Sequence, residues 1–494
     1  MLDQQRIDAL RREPVAARKL FINGSWQAGG GGALEVLSPI DGSVLTTIER
    51  ATAGDMEMAV ASARSAFDDG RWSRLAPAAR KKVLHRLADL IEREALALSV
   101  LGVRDNGTEI NMAFKAESGS AAGTFRYYAE AIDKVYGEIA PTDENILALV
   151  HKEPVGVVGA IVPWNFPLMI GAWKIAPALA AGNSIVLKPA ETASLSLLRL
   201  AELACEAGLP DGVFNVVTGK GSVVGEALAL SMDVDILAFT GSGATGRRLL
   251  EYAARSNLKR CYLELGGKSP NIVFADAPDL EKAAGISASG IFRNSGQVCV
   301  AGSRLLVQRE IHDDFVAALV RRAEGFTVGD PLDLQSDIGA VNSLVQLEGN
   351  LGFVATAEKE GAERVTGGSR ILADTGGYYM QPTVLTGVGP GDTIAQEEVF
   401  GPVLAVIPFD TEDEAVTIAN ESRYGLAGAV WTSDLSRTHR MIRRVRTGVI
   451  HVNTYGGADG TVPLGGVRQS GNGHDKSLHA LEKYHDLKTA WIQL

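Results

Sequence analysis

ILAFTGSGATG, residues 236–246, is the stretch on which the reading of this chain turns. Ile236 to Phe239 is a short apolar run that reads as a buried strand. Gly241-Ser242-Gly243-Ala244-Thr245-Gly246 follows at once, spells G-x-G-x-x-G, and leads into a helical pattern over 247–254. Glycines at that spacing let a backbone turn sharply and approach a pyrophosphate, whose charge then sits at a helix N-terminus. A plain glycine turn between strand and helix is the competing reading, and one such match standing alone is a weak signal.

The flanking sequence strengthens it. Upstream, 155–163 (VGVVGAIVP) reads as a buried strand and 174–181 as a helix ending at Gly182; 184–187 is the next strand. Residues 194–207 are helical and stop at Gly208-Leu209-Pro210, 214–217 is a strand and 222–230 a helix. Strand and helix thus alternate from about 155 to 260, the signature of a parallel sheet with helices on both faces. A second α/β series runs from Tyr262 to about Val467 with little change of composition, so no flexible linker divides the two. Nearer the start, Pro77 opens a helical pattern to about Leu101, with Val83, Leu84, Leu87, Leu90 and Ile91 on one face. Segments 142–151 and 476–494 look like extensions from the core and are candidates for an oligomer contact.

With 494 residues the chain is too long for one core, so two or three domains are expected. Glycine supplies 55 of them, well above the usual level of about 7%, which suits the many tight turns of open α/β sheets. The net charge of −11 argues against nucleic acid, because a duplex binder needs a basic face. The polar start, MLDQQRIDALRREP, has no apolar signal-peptide core. The longest apolar stretch, 155–168, is broken by Pro163 and Pro167, short of a membrane span. A cytoplasmic location is the expectation. Three cysteines, an odd number without a C-x-x-C pair, fit a reducing compartment with room for one catalytic thiol. The eight histidines do not cluster, so no metal site is expected.

Three further segments carry chemistry. Cys299 ends Asn294-Ser295-Gly296-Gln297-Val298-Cys299, and polar, glycine-containing surroundings rich in backbone N–H groups lower a thiol's pKa and ready it for attack. Cys205 and Cys261, in the helix LAELACEA and the strand CYLEL, look like packing residues; a buried structural thiol is the commoner fate of any cysteine. Pro163-Trp164-Asn165-Phe166-Pro167 closes a buried strand, and an asparagine amide held between prolines is a good donor to an oxyanion, although a proline turn with an aromatic plug reads as well. In Gln396-Glu397-Glu398-Val399-Phe400-Gly401-Pro402, a carboxylate and a ring beside Gly-Pro suit a ribose and a flat ring, against the bland alternative of a solvated charge pair. The spacing rule for dinucleotide folds nominates Glu264, 18 residues after Gly246, as the ribose anchor; Lys188 and Glu191 in IVLKPAE are rivals at another strand end, and spacing does not choose between them.

Together these segments resemble the aldehyde dehydrogenase superfamily. PWNFP at 163–167, KPAE at 188–191, FTGSGATG at 239–246, LELGGKSP at 263–270, the segment 292–299, EEVFGPV at 397–403 and PLGG at 463–466 occur in that family's order and spacing, from about Phe21 to the C-terminus. The resemblance implies an α/β fold with a Rossmann-type parallel-sheet NAD-binding domain (1–131 and 154–263). A second α/β catalytic domain (264–466) and small oligomerisation segments (132–153 and 467–494) complete it. It implies Cys299 as nucleophile and Glu264 as the base that activates the hydrolytic water. Asn165 joins the backbone N–H of Cys299 as oxyanion donors. Around the cofactor it implies Ile161, Pro163, Trp164, Lys188, Glu191, Gly241, Ser242, Gly246, Leu265, Glu398 and Phe400. Lys188 and Glu191 would hold the adenosine ribose and Glu398 the nicotinamide ribose.

The implied reaction is oxidation of an aldehyde to an acid through a thiohemiacetal and a thioester on Cys299. Hydrolysis is favoured over acyl transfer to coenzyme A, because members that make that transfer typically lack the acid at Glu264. NAD is the expected cofactor, since Glu191 would repel a 2′-phosphate, with NADP as an alternative. A homodimer or homotetramer is implied. Within the family the chain is most similar to bacterial γ-glutamyl-γ-aminobutyraldehyde and guanidinobutyraldehyde dehydrogenases, through SGNGHDKSLHALEKY, RSNLKR and Asp459. That points to an ω-amino or related aldehyde in a tunnel lined by Phe166, Ile170, Trp173, Asp459 and Leu464. Departures qualify this: Leu464 and Val467 stand where the subgroup carries rings, Gly456 where it often has a polar residue, His474 for an arginine and Arg468 for a lysine. A wider tunnel, open to aliphatic or aromatic aldehydes, is the alternative. A cofactor-independent cysteine esterase or hydrolase is the rival from another class, and a non-catalytic protein on the same scaffold a third reading.

Overall fold

The computed structural model describes residues 2–457 and 459–494. Two seven-stranded sheets carry most of the molecule. The first contains β1 (Leu20–Ile22), β2 (Ser25–Gln27), β3 (Val157–Ile161), β4 (Ser184–Lys188), β5 (Phe214–Val216), β6 (Ile236–Thr240) and β7 (Arg260–Glu264), in the order β7-β6-β3-β4-β5-β1-β2. Strands β3 to β7 pair in parallel, and the edge pair β1-β2 is antiparallel. Succession runs outward from β3 through β4 to β5, then reverses to β6 on the other side of β3. The C-terminal ends of β3 and β6 therefore flank a topological switch point, where open α/β sheets leave a crevice.

Helix α1 (Pro167–Ala181) begins seven residues before the periodicity predicts. Its N-cap, Phe166, offers no side-chain acceptor; Pro167 sits at the first helical position. The acceptor comes instead from buried Glu117, on a π-type turn, whose carboxyl oxygen takes the Met169 N–H at 2.6 Å. Helix α2 (Leu195–Glu206) follows β4 as expected. Helix α3 (Gly243–Arg255) starts inside the glycine motif rather than after it, because Ser242 caps it by accepting the Thr245 N–H. The segment from Pro77 forms two helices, Pro77–Arg93 and Ala95–Asn106, broken at Glu94, with Leu84, Leu87 and Ile91 buried in the first. Of the 222–230 helix, the first turn is a π-type turn at Gly221–Gly225.

The second sheet contains β8 (Pro270–Val273), β9 (Arg304–Gln308), β10 (Glu363–Thr366), β11 (Thr383–Thr386), β12 (Val403–Phe409), β13 (Ala427–Trp431) and β14 (Val449–Val452), in the order β10-β11-β12-β9-β8-β13-β14. All pairs but β10-β11 are parallel. The two extensions predicted from sequence meet: His485–Gln493 pairs antiparallel with Ile146–Pro154, which also pairs with Glu138–Ala140, making a separate three-stranded sheet. Buried apolar clusters lie on the faces of both large sheets. No helix among the described residues is long and apolar enough to cross a membrane.

Candidate active site

The crevice beyond β3 and β6 holds two adjoining chambers. The outer one, about 360 Å³, is lined by Ile161, Lys188, Glu191 and Ser242; the inner one, about 210 Å³, by Asn165, Leu265, Glu398, Phe400 and Cys299. Pro163, Trp164, Thr240, Gly241 and Ser242 border both, so the chambers are continuous. Lys188 is buried at the end of β4 with its Nζ 3.9 Å from Glu191 Oε1, and burial lowers its pKa. Glu191 also accepts the Gly221 N–H at 3.1 Å. Glu264 does not line this outer chamber, so its nomination as ribose anchor by spacing alone fails and the rival pair occupies that wall.

A two-part anionic ligand fits this cleft. Gly241, Gly243 and Gly246 all keep negative φ, so the motif is glycine for room and not for a left-handed turn. A Cβ at Gly241 would stand 2.5 Å from the Phe239 ring, and one at Gly246 2.9 Å from Leu265. The first turn of α3 faces the outer chamber through Ser242 and Thr245, offering backbone N–H groups to a phosphate. Arg248, Leu249 and Tyr252 line the same wall and were not anticipated. Counting three, four and seven along the helix from Thr245 would have found them. At the inner chamber, Glu398 accepts the Gly267 N–H at 2.9 Å, and burial raises its pKa to about 7. Trp164 and Phe400 meet edge to face at 5.2 Å. Gln346, also unanticipated, donates to the carbonyls of Val399 and Phe400 and so holds that turn, in which Phe400 has φ +56°.

Val298 and Val300, the chain neighbours of Cys299, border a second cavity that has two adjoining parts. Its inner part, about 310 Å³, is lined by Phe166, Trp173, Val298, Tyr455, Leu464 and Lys476. Its outer part, about 470 Å³, is lined by Tyr127, Trp173, Lys476 and Asp459. Ile170 lies instead on the Cys299 chamber, one helical turn from Trp173. Arg293 also borders the inner part, and the Lys476 ammonium sits 5.7 Å from the Trp173 ring centre.

Cys299 is partly exposed, on the loop after Gly296. Its thiol is not acidified as its surroundings in sequence suggest. Burial pushes its pKa up to about 12, and the carboxylates of Glu398 and Glu264 add to the rise; the backbone N–H groups of residues 299 and 300 only partly offset them. The expectation failed because the carboxylates come from 35 residues before and 99 after it in the chain, out of sight of any local motif. Cys261 is buried, its thiol raised to about 11 by burial, as befits a packing residue.

Asn165 and Glu264 complete the group. Asn165 Nδ2 donates one hydrogen to the Gln297 carbonyl at 2.8 Å, which fixes the amide and leaves its second hydrogen for the chamber. Glu264, at the end of β7, is buried with Oε1 unpartnered among the described residues. Burial first, then the Asp475 charge, raises its pKa well above the carboxylate range, against the opposing pull of Lys174 and Lys483. Those three form a buried triad in which Asp475 takes the Lys174 ammonium at 2.8 Å and the Lys483 ammonium at 2.5 Å. A carboxylate raised in this way is a stronger base than an exposed one.

Comparisons with known proteins give the family. Residues 26–490 match the model of the aldehyde dehydrogenase family. The chain is 49% identical over 477 residues to the NADP/NAD-dependent aldehyde dehydrogenase PuuC of Escherichia coli (strain K12), covering 96% of each. An indole-3-acetaldehyde dehydrogenase solved with NAD⁺ superposes with a TM-score of 0.98 at 49% identity, covering 100% of both chains. The γ-glutamyl-γ-aminobutyraldehyde dehydrogenase of Burkholderia cenocepacia J2315 does so with a TM-score of 0.97 at 50% identity and the same coverage.

Proposed function

The chain belongs to the aldehyde dehydrogenase family, and on that premise we propose that it oxidises an aldehyde to its carboxylic acid with NAD, through a thioester on Cys299. The observation that carries the reading is the convergence on one small chamber of a thiol, an amide with a spare hydrogen and the ribose-type carboxylate Glu398, with the raised base Glu264 within electrostatic reach of the sulfur.

The residues divide the work as follows. The Cys299 sulfur bonds to the aldehyde carbon as its proton passes to Glu264, which releases that proton to solvent before deacylation. Charge on the carbonyl oxygen meets the free Asn165 Nδ2–H and the Cys299 backbone N–H; losing one such donor costs about 10²–10³ in rate. A nicotinamide held at Glu398 would supply the acceptor for the hydride that leaves this adduct. The thioester that remains is attacked by water as Glu264 takes a water proton; the carbon–sulfur bond breaks, the thiol is restored and the acid departs. Lys188 and Glu191 hold the adenosine ribose and Glu398 the nicotinamide ribose. Glu191 disfavours a 2′-phosphate, while Lys188 and Arg248 on the same walls offset it, so NADP serves as a second cofactor.

For substrate, we propose an aldehyde whose chain carries an amino or aminoacyl group. The inner part of the cavity is largely apolar and aromatic, suited to methylenes, and among the described residues the only carboxylate on the outer part is Asp459. Lys476 and Arg293 line the route, so a carboxylate on the same substrate tail would be accommodated. The apolar walls of the inner part favour a second reading, an aromatic aldehyde. Asp459→Asn separates the two: KM rises for ω-amino aldehydes but not for aromatic ones on the first reading, and for neither on the second. The exposed Ile139, Leu487 and Trp491 of the three-stranded sheet supply an oligomer contact, which light scattering tests.

The reaction is tested with two variants. Cys299→Ala should abolish turnover. Glu264→Gln should release one equivalent of reduced cofactor per site and then stall; steady turnover in that variant refutes Glu264 as the deacylation base.

A further inference from the structure

Asn294 opens the segment that delivers Cys299, yet it lines neither chamber of the crevice nor the second cavity. It is 1% exposed, and its backbone is left-handed, φ +50°, followed by Ser295 at +51° and Gly296 at +71°. Two consecutive non-glycine residues in that conformation store backbone strain, which persists only where surroundings over-determine it.

Here they do. The Asn294 N–H donates to Glu109 Oε1 at 3.1 Å, and Asn294 Oδ1 accepts the Thr108 hydroxyl at 2.8 Å. Both partners are buried. With its oxygen and backbone so pinned, the amide nitrogen reaches two carbonyls: that of Asn165 at 3.3 Å and that of Gln297 at 3.4 Å. The Gln297 carbonyl is the same atom that accepts from Asn165 Nδ2. Gln297 is itself tied back, its Nε2 donating to the Asn294 carbonyl at 3.0 Å and its Oε1 accepting the Asn342 N–H at 2.8 Å. One side-chain amide therefore bridges the loop that carries the oxyanion donor, which ends β3 in the first sheet, and the loop that carries the thiol, which follows α4 (Leu280–Phe292) on the second.

We propose that Asn294, pinned by Thr108 and Glu109, is a positioning residue that sets the spacing between the Asn165 amide and the Cys299 sulfur. The role rests on the active-site reading above, in which those two groups act on the same carbon and oxygen. Hydrogen-bond donors to a developing oxyanion are sensitive to displacements of a fraction of an ångström to one ångström, and the bridge removes that freedom before substrate arrives.

Asn294→Gly isolates the amide from the backbone, because glycine adopts φ +50° without penalty. The hydride burst on mixing enzyme, NAD and a saturating aldehyde should slow about 10- to 100-fold, while NAD affinity, read by fluorescence quenching, stays unchanged. Ser295→Gly, which relieves the strain at the next residue and loses the Ser295 hydroxyl's bond to the Gly339 carbonyl but leaves every Asn294 bond in place, should keep the wild-type burst. Because Asn294 acts through Asn165, Asn294→Gly should slow the burst by no more than about threefold in an Asn165→Ala background, where a structural defect would multiply. Thr108→Val removes one pin and should slow the same step in a protein that retains Asn294, which keeps the test open if Asn294→Gly does not fold. A wild-type burst in Asn294→Gly beside a slow Asn165→Ala, or full multiplication in the double variant, overturns the positioning role. A wild-type burst in Asn165→Ala overturns instead the active-site reading on which it stands.

Discussion

A single methyl group at residue 266 should weaken cofactor binding without disturbing the fold. Gly266 keeps negative φ, so alanine brings no backbone strain there. Its Cβ, however, would stand 2.0 Å from Glu398 Oε2 and 2.7 Å from Glu398 Cδ. Ordinary contact begins near 3.4 Å, so the carboxylate must retreat by roughly 1.4 Å. It then loses the 2.9 Å bond from the Gly267 N–H and, with it, the position from which it would grip the nicotinamide ribose. A hydrogen bond to a charged group is worth about 1.5–3 kcal/mol. At about 1.4 kcal/mol per tenfold, Gly266→Ala should weaken NAD binding about 10- to 100-fold. The assay is a fluorescence titration with NAD, with melting of the cofactor-free enzyme followed in parallel. Gly352→Ala is the control, since nothing lies within 4 Å of a Cβ there. In a Glu398→Ala background the added methyl has room, so the two losses should not add. Unchanged affinity in Gly266→Ala, or fully additive losses in the double variant, refutes the reasoning.

Other outcomes follow from the charge states. With the Cys299 thiol pushed up to about 12, the cofactor-free enzyme should be alkylated by iodoacetamide at a rate that climbs about tenfold per pH unit from 7 to 10; a plateau near pH 8 contradicts this. Burial raises Glu117 to about 8, so the folded chain keeps a proton that the unfolded chain releases near 4.5. Stability attributable to Glu117 therefore falls as pH rises from about 5 to 8, and Glu117→Gln should flatten the fall in Tm over that window. Asp475→Asn leaves Lys174 and Lys483 buried without their counter-charge and should cost about 3–5 kcal/mol in urea unfolding. Because the Asp475 charge helps raise Glu264, the same variant should move the acid limb of the deacylation profile to lower pH.

Local rules made the parallel sheet and its cleft legible. Alternating apolar runs and glycine stops located β3 to β6, and Ser242 with its glycines marked the phosphate end of α3, because turn chemistry and periodicity act over a few residues. Even there the motif's glycines turned out to serve close packing against Phe239 and Leu265, which no spacing rule distinguishes from a tight turn.

What the sequence by itself determined was the order of the elements and the family likeness, from which the thiol, amide and acid of the proposed mechanism were nominated. Their physical state was decided only by tertiary structure. The first turn of α1 is capped by Glu117, 52 residues away, and Lys174 meets Asp475 across 301 residues. The thiol is pushed up to about 12 because folding desolvates it and brings near it the charges of Glu398 and of Glu264 at the end of β7. Desolvation and Coulomb interaction depend on distance in space and not along the chain, so a motif can name the groups of a catalytic site without revealing which of them carries the proton.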